Sequence, residues 1–226
     1  MRRSSIPMSV LFLAFAGLAR AQSEGPEAPG WSYDAENAQE ILETCAGCHG
    51  RTGRGGKEGT YPRLAGLDET YLARQIRAFK TRERKNVPMY PYATERELPP
   101  DDVRDIARLL SQLELPTRMP ELPPDASALD RLRAAVSVFD IPPVEGDSER
   151  GSTIYEDECS DCHGPEGWGE DDVPQLAGQY TEYLRRQIEH FRSGQRKNED
   201  MDGVFDGITA ADLDDLFAYL ASRDDG

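Results

Sequence analysis

Two short runs in the sequence carry recognisable chemistry: Cys45-Ala46-Gly47-Cys48-His49 and Cys159-Ser160-Asp161-Cys162-His163. Each is a complete C-x-x-C-H, the pattern of covalent c-type haem attachment. Both thiols of a pair would be consumed as thioethers to porphyrin vinyl groups, and the adjoining histidine would reach the iron from one face. The spacing has a mechanical reason: two anchors three residues apart lie on one helical turn and leave the next side chain to supply an axial nitrogen. Four cysteines are also compatible with a disulfide framework, a thioredoxin-like redox pair or a zinc site. Here all four fall in these two runs, each pair with its own histidine, which favours haem; only His190 lies outside them.

Comparison of the sequence with itself finds the rest of each site. Leu64-Ala65-Gly66, Tyr71-Leu72, Arg74-Gln75-Ile76, Phe79 and Arg84-Lys85-Asn86 recur 112 residues later as Leu176-Ala177-Gly178, Tyr183-Leu184, Arg186-Gln187-Ile188, Phe191 and Arg196-Lys197-Asn198. At the same offset Met89 falls on Met201, 40 and 38 residues after His49 and His163. An uncharged thioether as sixth ligand stabilises ferrous iron and raises the potential into a carrier's range, so Met89 and Met201 are the expected second axial ligands. Met119 has no repeat partner and is expected to be ordinary packing, and His190, opposite Ala78, a solvated surface histidine. Arg84, Lys85, Arg196 and Lys197 are read either as neutralising haem propionates or as exposed helix-end cations.

Helix signals supply the elements that must position these groups. In each repeat an amphipathic helix leads into the haem motif, Ala35 to Thr44 and Glu149 to Glu158. A second, Glu69 to Arg82 and Thr181 to Ser193, is apolar at Leu72, Ile76 and Phe79 and at Leu184, Ile188 and Phe191. A third starts after Pro100 or at Thr209 as cap and carries Val103, Ile106 and Leu110 or Leu213, Leu216 and Leu220. No strand-like alternation competes, so the expected fold is all-α. Between the repeats, Leu129, Leu132, Val136 and Phe139 would line one face of a short helix; this connector is read either as a strap between domains or as a solvated tether.

Composition narrows the classes. The chain has 226 residues, 38% hydrophobic and 8% aromatic, with mean hydropathy -0.66 and a net charge of -16. Such acidity excludes a nucleic-acid binder, because phosphate contacts need a basic surface. No apolar stretch reaches the roughly 20 residues of a spanning helix. Arg2 and Arg3, an apolar run from Met8 to Ala19 and Ala19-Arg20-Ala21 read as an export signal over residues 1–21, cleaved to a periplasmic product. Residues 22–30 read as a flexible segment, 31–116 and 146–226 as two domains and 117–145 as the connector. Each domain, about 80 residues, is small for an apolar core alone, and covalent haem would supply the missing apolar body. Residues 31–116 hold 13 bases and 14 acids, a net of -1, whereas 146–226 hold 7 and 21, a net of -14. This asymmetry predicts that the second domain docks a basic redox protein by electrostatic steering while the first meets a different partner. Asp200 and Asp202 beside Met201 also predict the lower potential in the second domain.

Together these features resemble class I cytochromes c, and the duplication resembles the dihaem cytochromes of the c4 type. The resemblance implies two tandem helical shells, each around a covalently bound haem c, and a periplasmic electron carrier rather than an enzyme. Electrons would pass between respiratory partners, with a membrane-bound oxidase or dehydrogenase as one of them. It further implies that the Pro62 and Pro174 carbonyls accept the second N–H of His49 and His163. The family's first and last helices cross at a glycine; Gly151 fits, and Asn37 stands there in repeat one. The family's aromatic on the last helix is matched by Tyr219, with Leu109 in repeat one. The alternative is the dihaem subunit of a dehydrogenase complex, such as a flavocytochrome that oxidises sulfide. A haem peroxidase needs a five-coordinate iron, against which Met89 and Met201 speak.

Overall fold

The computed structural model describes residues 30–223, so the export signal read over 1–21 and all but the last residue of the 22–30 segment lie outside the described residues. Eight helices are described: α1 Ala35–His49, α2 Glu69–Thr81, α3 Pro100–Ser111, α4 Ala128–Ser137, α5 Ser148–Glu158, α6 Ser160–His163, α7 Thr181–Arg192 and α8 Ala210–Ala221. Among the described residues there is no strand, only an isolated bridge between Gly56 and Tyr61. Local chemistry starts these helices. Asp34 and Asp147 accept the first free amides of α1 and α5, and Thr209 with Asp212 forms a capping box on α8. The haem-motif helix of repeat one runs on through His49, five residues beyond the expected end, whereas in repeat two the chain breaks at Cys159 before α6.

In each repeat the first helix crosses the last, but by different means. A methyl group on Gly151 would sit 2.0 Å from the Asp215 carbonyl oxygen, so only glycine allows α5 to lie this close to α8. Tyr155 and Tyr219 then pack with ring centroids 5.3 Å apart. In repeat one, Asn37 makes the crossing polar: its Nδ2 donates to Asp102 and to buried Asp105 on α3, at 3.2 and 3.0 Å. Both repeats tie the start of the first helix to an acid on the last, Asp34 N to Asp105 and Asp147 N to Asp215.

The two repeats meet through the polar residues that recur between them. Arg84 Nη2 donates to Tyr183 Oη at 2.7 Å and to Gln187 Oε1 at 2.8 Å. Across the seam Arg196 Nη2 donates to Tyr71 Oη and Gln75 Oε1, both at 3.2 Å. Arg186 reaches the Thr60 carbonyl at 3.2 Å, and Arg74 the Asp172 carbonyl at 3.0 Å. Each pair maps onto its counterpart at the repeat offset, so the seam is a pseudo-two-fold interface of the isologous kind. Arg84 and Arg196 thus belong to the domain contact, while Lys85 and Lys197 are exposed. His190 is half-buried rather than fully solvated, and Arg186, Arg84 and Arg196 add to burial in holding its imidazole below the ordinary value.

The connector behaves as a strap at one point only. Phe139 is buried with Ile141 against Ala65 and Leu115 of repeat one, and its ring meets Tyr180 of repeat two edge-on at 5.8 Å. Arg54 donates to the Val136 and Val138 carbonyls, and the Phe139 amide to the Pro116 carbonyl. The expected apolar helix face does not pack: Leu129, Leu132 and Val136 are 53%, 60% and 66% exposed. The helix ends at Ser137 and Val138 is extended, which takes Phe139 out of helical register with the other three. Met119 is 51% exposed and is no part of a buried core, against the expectation of ordinary packing.

Candidate functional site

Cys45, Cys48 and His49 occupy the last turns of α1; Cys159 caps α5, with Cys162 and His163 on α6. None of the four cysteines forms a disulfide. Burial pushes the Cys45 and Cys159 thiols up to about 11, so both are neutral thiols near pH 7. Among the described residues no cluster of three or more His, Cys, Asp and Glu is placed to hold a metal ion.

The histidines are fixed by the loops that follow them. His49 Nδ1 lies 3.0 Å from the Pro62 carbonyl oxygen and His163 Nδ1 2.8 Å from that of Pro174. A carbonyl only accepts, so Nδ1 carries the proton and Nε2 keeps its lone pair for a metal. Burial holds both imidazoles below the ordinary value, with the prolyl bond opposing it, so both are neutral near pH 7. The prolines are brought in by a repeated loop. Gly53 and Gly167 carbonyls accept the amides of Leu64 and Ala65 and of Leu176 and Ala177, and the Gly55 and Gly169 amides donate to the His49 and His163 carbonyls.

Gly55 and Gly169 are the residues that reading the sequence missed. Both have φ near +77°, and a Cβ on Gly55 would lie 2.6 Å from the Pro62 carbonyl carbon, one on Gly169 2.6 Å from the Val173 carbonyl oxygen. They stand six residues after each histidine, and that shared spacing was the available signal. Met89 and Met201 each close a 3-10 turn, Val87–Met89 and Glu199–Met201, and their amides donate to the Asn86 and Asn198 carbonyls at 3.0 Å. Both methionines are half-buried, and their surroundings differ: exposed Val87 and Tyr92 beside the first, exposed Asp200 and Asp202 beside the second.

The residues therefore fit covalently bound haem: paired free thiols, a histidine with its tautomer set, and a thioether on an equivalent turn, twice over. Comparison with known proteins agrees. Residues 35–114 and 148–224 each match the Cytochrome c family. Cytochrome c-552 of Acidithiobacillus ferridurans is 28% identical over 98% of this chain and 91% of its own length. A thiosulfate dehydrogenase electron acceptor of Stutzerimonas stutzeri is 33% identical over 75% of this chain and 73% of its own. The crystal structure of reduced cytochrome c4 from Pseudomonas stutzeri superposes with a TM-score of 0.64 at 25% identity, covering 84% of this chain and 98% of that one.

Proposed function

The chain belongs to the cytochrome c family and is of the dihaem cytochrome c4 type, and on that premise we propose how its residues carry electrons. Its two domains hold two covalently bound haem c groups, and each supplies an iron that cycles between ferrous and ferric states. It is an electron-transfer protein rather than an enzyme. Cys45 and Cys48 would anchor the first haem, with His49 and Met89 supplying the ligands to its iron; Cys159 and Cys162 would anchor the second, with His163 and Met201 as ligands. The Pro62 and Pro174 carbonyls orient the histidines and raise their basicity. The observation that carries this assignment is the repeated histidine–proline bond, 3.0 and 2.8 Å, at the end of each C-x-x-C-H run. A mass and a ferric absorbance spectrum of the purified protein test it. Two haem additions and the weak long-wavelength band of Met ligation are expected, and a missing band in either haem refutes the ligand set.

The protein works in the periplasm, a reading supported by the pattern of an export signal read over residues 1–21; no helix among the described residues is long and apolar enough to cross a membrane. The second domain, net -14, docks a basic redox partner, and the first, net -1, meets another. Electron exchange with one partner should fall steeply with salt; equal, weak dependence for both would sink this reading. A second reading, the electron-accepting partner of a sulfur-compound dehydrogenase, is supported by the relative named as a thiosulfate dehydrogenase electron acceptor. Reduction by such a dehydrogenase in a purified mixture would select it.

A further inference from the structure

Gln179 belongs to the second repeat, just before α7, yet its side-chain amide closes on the backbone of the first. Its Oε1 accepts from Arg63 N at 3.0 Å and its Nε2 donates to Arg63 O at 2.9 Å. Both residues are buried, Gln179 at 5% and Arg63 at 4% exposure. The Arg63 amide nitrogen is in the same peptide group as the Pro62 carbonyl that accepts from His49 Nδ1. We propose that Gln179 is a positioning residue that acts across the domain seam, through the Pro62–Arg63 peptide, on the axial histidine of the first haem. The proposal rests on the reading of His49 as an axial ligand.

The physical link is one amide wide. An acceptor on a peptide N–H pushes electron density toward its carbonyl oxygen, and hydrogen bonds in series strengthen one another by about 10–30% each. A stronger Pro62 acceptor draws the Nδ1 proton of His49 further and enriches Nε2. An electron-rich imidazole favours the higher oxidation state of a metal it binds. Gln179 therefore holds the first site's potential below the value it would have alone. The amide's orientation is fixed by its partners, Tyr180 N also donating to Oε1 at 3.1 Å, since a flip would set donor against donor and acceptor against acceptor. The Arg63 side chain keeps the peptide in place: its Nε donates to the Ala65 carbonyl at 2.9 Å, and its guanidinium lies 5.3 Å from the Phe139 ring centroid.

Among the described residues no reciprocal bond from Leu67 exists. At the repeat offset Gln179 maps to Leu67, which has no polar atom with which to grip the Pro174–Gln175 peptide. Docking of the second domain is thereby communicated to one histidine and not to the other, although the remainder of the seam is symmetric.

The test is Gln179→Leu in the full haem-loaded protein, with redox steps assigned by Met89→His. The first haem's step should rise and the second stay, and the hyperfine-shifted His49 ring resonance of the ferric protein should move. Gln179→Glu keeps an oxygen for the Arg63 amide and should leave the first step at or below its native value. Arg186→Ala removes seam bonds to the Gly59 and Thr60 carbonyls and spares this peptide, so neither step should move. An unmoved first step and His49 resonance in Gln179→Leu, equal movement of both haems, a rise in Gln179→Glu, or the same shift in Arg186→Ala overturns the proposal. A native protein without any hyperfine-shifted His49 resonance refutes the ligand reading, and the proposal with it; a resonance present but unmoved refutes the proposal alone.

Discussion

Arg84→Leu should undock the two haem domains while leaving each one folded. The guanidinium donates three hydrogen bonds, to Gln75 within its own repeat at 2.8 Å and to Tyr183 and Gln187 across the seam at 2.7 and 2.8 Å. Bonds from a charged donor contribute about 1.5–3 kcal/mol each, so the two that cross the seam are worth about 3–6 kcal/mol before offsets. Two effects reduce this. Gln187 keeps Arg196 at 3.1 Å, and leucine removes the desolvation cost of a buried cation. A net loss of about 2–4 kcal/mol follows, roughly 30- to 700-fold in the docking equilibrium. Tyr183 offers a local reporter. Burial pushes its hydroxyl up, yet Arg84 and Arg196 more than offset that and hold it below the ordinary value, so the variant should raise it. Calorimetry of the haem-loaded protein is the assay: the native unfolding transition should split, with the weaker component, a domain of about 80 residues, lowered by roughly 8–32 °C. Arg196→Leu should behave alike, and the double variant should cost more than the sum, because both arginines share Gln75 and Gln187 and only the double variant leaves these amide oxygens without either donor. A single transition shifted by less than about 2 °C, or a loss of helix signal in the folded variant, refutes the reasoning.

Three further outcomes follow from the same contacts. Gly55→Ala places a Cβ 2.5 Å from the Tyr61 carbonyl oxygen at a φ of +77°, and should destabilise the first domain by at least about 1–3 kcal/mol and lower haem incorporation at that site only, read by haem stoichiometry. Asp200→Asn and Asp202→Asn should raise the second redox step and spare the first, and a titration that moves both equally contradicts the local-charge account. The last concerns acid. The Thr209 hydroxyl on Asp212 and the Asp147 amide on Asp215, with Arg150 bridging both, hold these carboxyls below their ordinary value of 3.8. A depressed folded value contributes stability above the unfolded value that is lost as pH falls through the folded one. The α5–α8 crossing should therefore loosen below about pH 4, and Asp215→Asn, which cannot titrate, should show a shallower acid limb in a pH series of melts.

The cofactor, the duplication and the helices were legible because each is written over a short stretch of chain. C-x-x-C-H is five residues, the apolar stripes repeat every three or four, and the caps sit beside the helices they start. The histidine–proline pairs were reachable only through the family resemblance, as 11 to 13 residues of irregular loop separate each pair. The α4 stripe misled because amphipathic spacing shows which residues share a face and not whether anything covers it. Phe139, three residues past Val136 and on the same expected face, is buried only because the chain leaves the helix at Val138.

By itself the sequence determined that two haem-bearing helical units lie in tandem, each with its own C-x-x-C-H run, and that acidity is concentrated in the second. Only the tertiary structure decided why Tyr71, Arg74, Gln75 and Arg84 recur in the other repeat: they hold the units together, over separations of 98 to 125 residues. It also decided that Gln179 grips the peptide behind His49. A hydrogen bond across 116 residues leaves no periodicity or spacing in the chain, because its partners are neighbours in space only after both domains have folded and docked.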